Sequence, residues 1–169
     1  RYNMPEITVL DLSGAKIAAY AGADGVSGSY FISYPENELP GVSFFEKRKL
    51  TSVTLPLTTT SIEGQAFYYC TGLTSFVFPP PVTRIGNQSF LGCSGLTSLT
   101  LPTSLLTIEG GAFYECTGLT SVSLPSSVTL IGNQAFYKCT GLTSVTIPAS
   151  ATTIGNRAFE CQSGFISVD

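Results

Sequence analysis

The sequence predicts a right-handed α/β solenoid, with a parallel β-sheet on a concave face and short helical or 3₁₀ turns on a convex face. Two observations predict this fold. Apolar residues recur every 23 residues over the second two-thirds of the chain, and each interval contains one short strand-like segment that ends at a proline. A fixed period of this length is typical of repeat proteins, whose stacked units share one continuous core.

The first half of each repeat predicts a β-strand. In the pattern L-T-S-V-T-L-P, apolar residues alternate with hydroxyl residues, as on a strand with one buried face. The proline cannot donate a ladder hydrogen bond, so we expect the strand to end there. The columns that carry this pattern are Leu50, Leu73, Leu96, Leu119 and Leu142; Val53, Phe76, Leu99, Val122 and Val145; and Pro56, Pro79, Pro102, Pro125 and Pro148.

The second half of each repeat predicts a short helical or 3₁₀ segment. Its apolar positions follow one another at spacings of five and three residues, which places them on one side of such a segment. A Thr-Gly or Ser-Gly pair then supplies a tight return turn. The columns are Ile62, Ile85, Ile108, Ile131 and Ile154; Phe67, Phe90, Phe113, Phe136 and Phe159; and Cys70, Cys93, Cys116 and Cys139.

Residues 1–49 predict an atypical amino-terminal capping repeat with a loop insertion, and residues 50–169 predict five 23-residue repeats plus the start of a sixth. Leu39 falls 23 residues before Ile62, so the back half of a repeat is already present there. Its front half is E-I-T-V-L-D-L-S, separated from the back half by an additional stretch rich in glycine and tyrosine. Both a structural cap and a binding loop remain open for this insertion.

The cysteines predict buried free thiols. Four of the five occupy one equivalent repeat position, so their side chains should point the same way into the core, whereas a disulfide needs opposed Cβ vectors. Cys161 lies out of register, and we expect it to be the most exposed or reactive. Because the chain contains no histidine and the cysteine column runs along one line, we expect no metal site.

Composition argues against several functions. Charged residues make up 11% of the chain and the net charge is −3, which disfavours nucleic-acid binding. No apolar stretch is long enough to span a membrane. Without histidine the most common general base is missing, the carboxylates are scattered and no phosphate-binding glycine motif occurs. The sequence therefore predicts a protein that is not an enzyme and needs no cofactor.

Three surfaces compete as binding sites: the concave face, a convex aromatic column and the amino-terminal loop. Hydroxyl residues are also an ordinary covering for a soluble sheet, and tyrosines also cover turn ends, so the sequence does not rank the three surfaces. The concave-face candidates are Ser52, Thr54, Ser75, Val77, Ser98, Thr100, Ser121, Ser123, Ser144 and Thr146. The convex candidates are Tyr68, Tyr114 and Tyr137, with Leu91 in the same column and Tyr69, Glu115 and Lys138 beside it.

The motifs I-G-N-Q-A-F, C-T-G and L-T-S-V-T-I-P, as they stand between Ile131 and Pro148, resemble the BspA-like class of leucine-rich repeat proteins. The resemblance covers residues 50–169. It implies a non-catalytic module on a secreted or cell-surface protein, in a family associated with adhesion. A host extracellular matrix or cell-surface protein would then be the partner. A carbohydrate-binding surface and a structural spacer for another domain remain alternatives.

Overall fold

The computed structural model describes residues 7–15, 20–23, 31–34, 36–160 and 165–168, so the prediction for Cys161 lies outside the described residues. Within these ranges the chain forms short β-strands joined by turns. In chain order they are β1 (Val9–Asp11), β2 (Tyr20–Ala23), β3 (Phe31–Tyr34), β4 (Glu38–Leu39), β5 (Ser52–Thr54), β6 (Ser61–Ile62), β7 (Arg84–Ile85), β8 (Thr107–Ile108), β9 (Ser121–Ser123), β10 (Leu130–Ile131), β11 (Ser144–Ile147), β12 (Thr153–Ile154) and β13 (Phe165–Val168).

Strands β1, β5, β9, β11 and β13 occupy the same place in different coils and pair in parallel, as the L-T-S-V-T-L-P segments predict. We call their surface the front sheet. The coils between β5 and β9 join it through isolated bridges, which link Val77 to Thr100 and Ser98 to Ser121. The bulky pair Phe76 and Phe78 lies in this region of sparse pairing, and both rings pack edge-on against Phe90. The predicted parallel sheet of a solenoid is confirmed.

A second parallel sheet, the rear sheet, runs along the isoleucine column. Its six two-residue strands lie in the order β12, β10, β8, β7, β6 and β4. Equivalent residues pair directly, as when Ile62 lies opposite Ile85 and Ile85 opposite Ile108. The expectation of a helical or 3₁₀ segment differs from the structure, because the described residues contain strands and turns but no helix.

The turn that follows each rear strand bonds to the neighbouring coil instead of closing on itself as a helix would. Gln65 donates its backbone N–H to the carbonyl of Asn87 (2.9 Å), and Phe67 donates to that of Ser89 (2.7 Å). The backbone of this turn is left-handed at two residues, with φ of 58° at Gln65 and 51° at Tyr69. These turns therefore form a third ladder of backbone hydrogen bonds between coils, in addition to the two sheets. We call the surface of the stacked turns the turn face.

The core lies between the front sheet, the rear sheet and the turns. The repeated phenylalanines stack ring on ring from Phe44 to Phe159, with successive centroids 5.0 to 5.3 Å apart. Phe67, Phe90, Phe113 and Phe136 are fully buried. This stacking supplies a continuous apolar column that no single coil could bury alone.

The repeated cysteines are buried free thiols, as predicted. Each Sγ lies 3.0 to 3.2 Å from the carbonyl oxygen of a phenylalanine in the preceding coil, to which its S–H donates. Burial raises the pKa of Cys70 to about 12 and also raises the pKa values of Cys93 and Cys116. These thiols stay protonated at neutral pH and act as small core residues.

Both halves of the interrupted first unit join the stack. Leu10 lies opposite Val53 in the front sheet, and Leu39 lies opposite Ile62 in the rear sheet. Between them, β2 and β3 form an antiparallel pair within the inserted stretch. In the part of the chain that the structure describes, no helix has the length and hydropathy needed to span a membrane.

Candidate functional site

The predicted front-sheet residues lie on the solvent side of their strands. Ser52 and Thr146 are half-buried, and the other eight are exposed. Parallel pairing aligns them in columns, with Ser121 opposite Ser144 and Ser123 opposite Thr146. Val77 interrupts the hydroxyl columns with an apolar side chain that is 78% exposed. The exposed Val9 and Asp11 of β1 continue the two columns opposite Ser52 and Thr54, so this surface offers small hydrogen-bonding groups in rows with one carboxylate at its β1 end.

The predicted convex tyrosines lie on the turn face, where all three are half-buried. Tyr114 and Tyr137 are in contact, with ring centroids 5.1 Å apart. Tyr68 does not join them, because the intervening coil carries the buried Leu91 in the same column. Tyr68 instead stacks on Phe45, with centroids 4.7 Å apart, and meets Tyr69 edge-on. The aromatic column is thus two clusters separated by one coil.

Charged side chains connect these two clusters. The carboxylate of Glu115 accepts hydrogen bonds from the Tyr69 hydroxyl (3.3 Å) and from Lys138 Nζ (3.1 Å). Glu115 raises the pKa of the Tyr69 phenol because its negative charge opposes ionisation, and it raises the pKa of Lys138 as its hydrogen-bond acceptor. Lys138 Nζ also lies 5.5 Å from the ring centroid of Tyr114, within cation–π range.

Arg157 extends the row at the next coil. Its guanidinium lies 4.7 Å from the centroid of the Tyr137 ring and donates a hydrogen bond of 3.0 Å to the Tyr137 hydroxyl. The same guanidinium makes two hydrogen bonds to Glu160, which lower the pKa of that carboxyl. We call Tyr68, Tyr69, Tyr114, Glu115, Tyr137, Lys138 and Arg157 the tyrosine ridge.

Gly92 makes the long reach from Tyr69 to Glu115 possible. These two residues are 46 positions apart, which is two coils, and Gly92 occupies the equivalent position in the coil between them. A Cβ atom on Gly92 would lie 2.6 Å from the nearest carbon of the Tyr69 ring. The missing side chain therefore lets the ring lie across the intervening coil.

An open pocket of about 770 Å³ lies beside the ridge. Its aromatic and aliphatic lining comes from Tyr68, Tyr69, Leu91 and Tyr114, and its polar lining comes from Glu115 and the amides Asn87, Gln88, Asn133 and Gln134. Gly110 and Gly111 form the remaining lining. Its volume falls within the range of about 300 to 1,000 Å³ that is typical of small-molecule sites.

Other charged side chains form local ion pairs. Arg84, in β7, contacts both Glu63 and Glu109, which directly follow the adjacent strands β6 and β8. Glu109 in turn accepts hydrogen bonds from the backbone and side chain of Asn87. Among residues 7–15, 36–160 and the short described strands outside them, no group of three or more histidine, cysteine or acidic residues is placed to hold a metal ion.

Phe45, Arg157 and Gly111 belong to this surface but are missed by a reading that follows the tyrosine column alone. The sequence carries a signal for each of them. Phe45 stands 23 residues before Tyr68, and Gly111 and Arg157 occupy the column otherwise filled by glutamine. Comparing every column of the repeat, and not only the aromatic one, would have found them.

Stacked coils with an exposed sheet and a separate aromatic surface define a leucine-rich repeat solenoid of the kind that serves as a binding scaffold. The model of the BspA type leucine rich repeat region matches residues 38–165 in six copies. The chain belongs to this family, as the sequence motifs indicate.

Solved structures of bacterial leucine-rich repeat proteins resemble this chain. The protein TpLRR of T. pallidum is 33% identical, over 64% of this chain and 53% of its own, with a TM-score of 0.63. A protein from Bacteroides ovatus is 30% identical, over 88% of this chain and 36% of its own, with a TM-score of 0.70. A leucine rich cell surface protein from Faecalibacterium prausnitzii is 30% identical, over 96% of this chain and 48% of its own, with a TM-score of 0.62.

The chain thus spans 36% to 53% of the length of these solved chains. A search among curated protein sequences gives no significant match. Membership in a leucine-rich repeat family points to a module that binds other proteins.

Proposed function

We propose that this chain is the binding module of a secreted or cell-surface adhesion protein, and that it holds an extracellular matrix or cell-surface protein against its tyrosine ridge. The similarity to a Faecalibacterium prausnitzii leucine rich cell surface protein supports the location. The observation that carries the proposal is the connected ridge, in which Tyr69, Glu115, Lys138 and Tyr114 hold one another by a hydrogen bond, an ion pair and a cation–π contact.

Such a surface has the composition of protein interfaces. Tyrosine and arginine are enriched at binding hot spots because they combine a large contact area with polar tips. The contacts among Tyr137, Arg157 and Glu160 restrict these side chains before a partner arrives, which lowers the entropy lost on binding. On the described front sheet from β1 to β11, the exposed columns are mainly serine and threonine, with Val9, Asp11 and Val77, and they carry no aromatic ring.

The experiment compares the two faces on one panel of immobilised proteins, consisting of fibronectin, fibrinogen, laminin and collagen. Tyr114→Ala and Tyr137→Ala remove ridge rings, while Thr100→Glu and Thr146→Glu place charges on the front sheet as matched controls. Loss of a hot-spot tyrosine is worth about 2 kcal/mol or more, so each alanine variant should bind at least about 30-fold more weakly. Circular dichroism confirms that each variant is folded.

If both tyrosine variants bind as tightly as the unmodified chain and both glutamate variants lose binding, the binding site lies on the front sheet and the ridge is rejected. If the unmodified chain binds no protein of the panel at micromolar concentration, adhesion to matrix proteins is rejected, and a carbohydrate-binding module and a spacer are the remaining alternatives.

A further inference from the structure

The pocket beside the ridge exists because one column of long polar side chains is interrupted. This column, the amide column, holds Gln65, Gln88, Gly111, Gln134 and Arg157 in successive coils. Gln65 Nε2 donates to Gln88 Oε1 over 3.0 Å, which begins a ladder of side-chain amides. At Gly111 the ladder stops, and the pocket opens at that rung.

The backbone does not require glycine at position 111. Its φ is 62°, while the equivalent residues Gln88 and Gln134 have φ values of 55° and 57° with full side chains. A Cβ on Gly111 would come no closer than 3.3 Å to any neighbouring atom, and that nearest atom is Cγ of the flexible Gln88 side chain. The chain adopts this conformation with glutamine in three other coils. What glycine contributes here is therefore open space.

The walls around this space combine amides with aromatic rings. The Nε2 group of Gln88 and the side-chain amide of Gln134 have no hydrogen-bond partner among the described residues, although each amide presents both donors and acceptors. The rings of Tyr68 and Tyr114 line the same pocket. Glu115 is the single charged side chain of the lining, and Lys138 lies 3.1 Å from it.

We propose that this pocket binds one ring of a neutral carbohydrate. A sugar ring carries hydroxyl groups that both donate and accept, which matches the Nε2 donor of Gln88 and the whole side-chain amide of Gln134 on either side of the gap. It also has an apolar C–H face, which suits the tyrosine rings. A phosphorylated or sulfated ligand would need a free cation at this place, and a cationic ligand would need a free carboxylate. The pairing of Glu115 with Lys138 supplies neither.

This inference goes beyond the proposed function, because contact of a protein with the ridge does not require the pocket to be filled. The two sites share Tyr68, Tyr69, Tyr114 and Glu115, but they do not coincide. Tyr137 and Arg157, which anchor one end of the ridge, do not line the pocket.

The decisive variant is Gly111→Gln. It completes the amide column with the residue that the neighbouring coils already use at the same φ, so it narrows the pocket at the Gly111 rung while the backbone keeps its conformation. Thr103→Gln is the matched control, because it adds the same side chain at an exposed turn position that belongs neither to the pocket lining nor to the candidate binding residues of the front sheet and ridge. Gln134→Ala is a second variant that removes one amide and keeps the space.

The experiment screens the unmodified chain and the three variants on an array of neutral, sialylated and sulfated glycans. Methyl glycosides of glucose, galactose, mannose and N-acetylglucosamine are then titrated and followed by NMR. We expect the unmodified chain and Thr103→Gln to bind at least one neutral glycan. Gly111→Gln should bind it at least tenfold more weakly, and Gln134→Ala about threefold to tenfold more weakly, as for the loss of a neutral hydrogen bond.

Three results would overturn the proposal: binding to no neutral glycan, binding to sulfated or sialylated glycans alone, or unchanged affinity in Gly111→Gln. The matrix-protein panel supplies a separate readout. A chain that binds a matrix protein through Tyr137 but binds no glycan would reject the sugar site and retain the ridge.

Discussion

Ser89 carries a buried hydroxyl group that has no hydrogen-bond partner, and the described residues contain no other buried side-chain oxygen or nitrogen in that state. Its side chain lies in the small-residue column of the core, where the neighbouring coils place Ala66, Ala112 and Ala135. All four are buried. Replacing Ser89 with alanine removes the hydroxyl and gives this coil the same side chain as the other three.

Two opposing effects set the size of the change. A buried hydroxyl without a partner destabilises the folded state by about 1 to 3 kcal/mol relative to its hydrated state. The space left by one oxygen atom, on the order of 15 Å³, costs about 0.4 kcal/mol at about 24 cal/mol per Å³. The backbone bond from Phe67 N–H to the carbonyl of residue 89 is unaffected. We therefore expect Ser89→Ala to raise the free energy of unfolding by about 0.6 to 2.6 kcal/mol.

The assay is urea unfolding followed by circular dichroism. With a slope of about 2 kcal/mol per molar urea, the midpoint should rise by about 0.3 to 1.3 M at unchanged slope. Ala112→Ser is the matched control, because it introduces the same hydroxyl into the equivalent position of another coil and should lower the midpoint. A lower midpoint for Ser89→Ala would refute the reasoning and show that the hydroxyl stabilises the core.

Three further predictions follow from the core and from the rear sheet. Phe113 is fully buried and stacks between Phe90 and Phe136, so Phe113→Ala should destabilise the fold by about 3 to 5 kcal/mol. Phe159 is half-buried at the end of the stack, so Phe159→Ala should destabilise the fold less. Calorimetry measures both changes. Burial raises the pKa of Cys70 to about 12, so iodoacetamide at pH 8 should alkylate it at least about 100-fold more slowly in the native protein than in urea. Mass spectrometry of the alkylated peptides measures both rates, and equal rates would contradict the burial of Cys70. Burial, and next the charge of Glu63, raise the pKa of the Glu38 carboxyl, so ionisation of this group opposes folding above its unfolded pKa of about 4.3. Glu38→Gln should therefore raise the urea midpoint at pH 7 but not at pH 3. A gain at pH 3 alone would show that ionised Glu38 stabilises the fold.

The front sheet and the core can be predicted from the sequence because both depend on residues that recur at the same position in every repeat. Alternation in S-V-T-L places Val53 and Val122 inside and the hydroxyl residues outside, and the structure agrees. The buried cysteines follow in the same way, since equivalent positions in stacked coils point in one direction. Patterns that repeat along the chain are therefore sufficient to predict which aligned side chains face the core and which face solvent.

The isoleucine segments show where this reasoning fails. The spacing from Ile62 to Phe67 and Cys70 fits one side of a helix, but the same residues also fit a two-residue strand followed by a turn. The turn bonds its backbone to the next coil, as Phe67 does to Ser89, and that option is invisible within a single repeat. Tertiary stacking thus overrides the local preference.

The sequence by itself determined the repeat, the family and which columns face the core, because burial of apolar side chains is imposed equally on every coil. Only the tertiary structure decided which surface side chains meet. Tyr69 reaches Glu115 across two coils because Gly92 leaves the path open, and the pocket exists because Gly111 leaves a gap among the glutamines. A periodic pattern specifies what each coil shares with its neighbours. The contact of Tyr69 with Glu115 and the pocket instead depend on two coils in which glycine replaces the side chain found in the other coils.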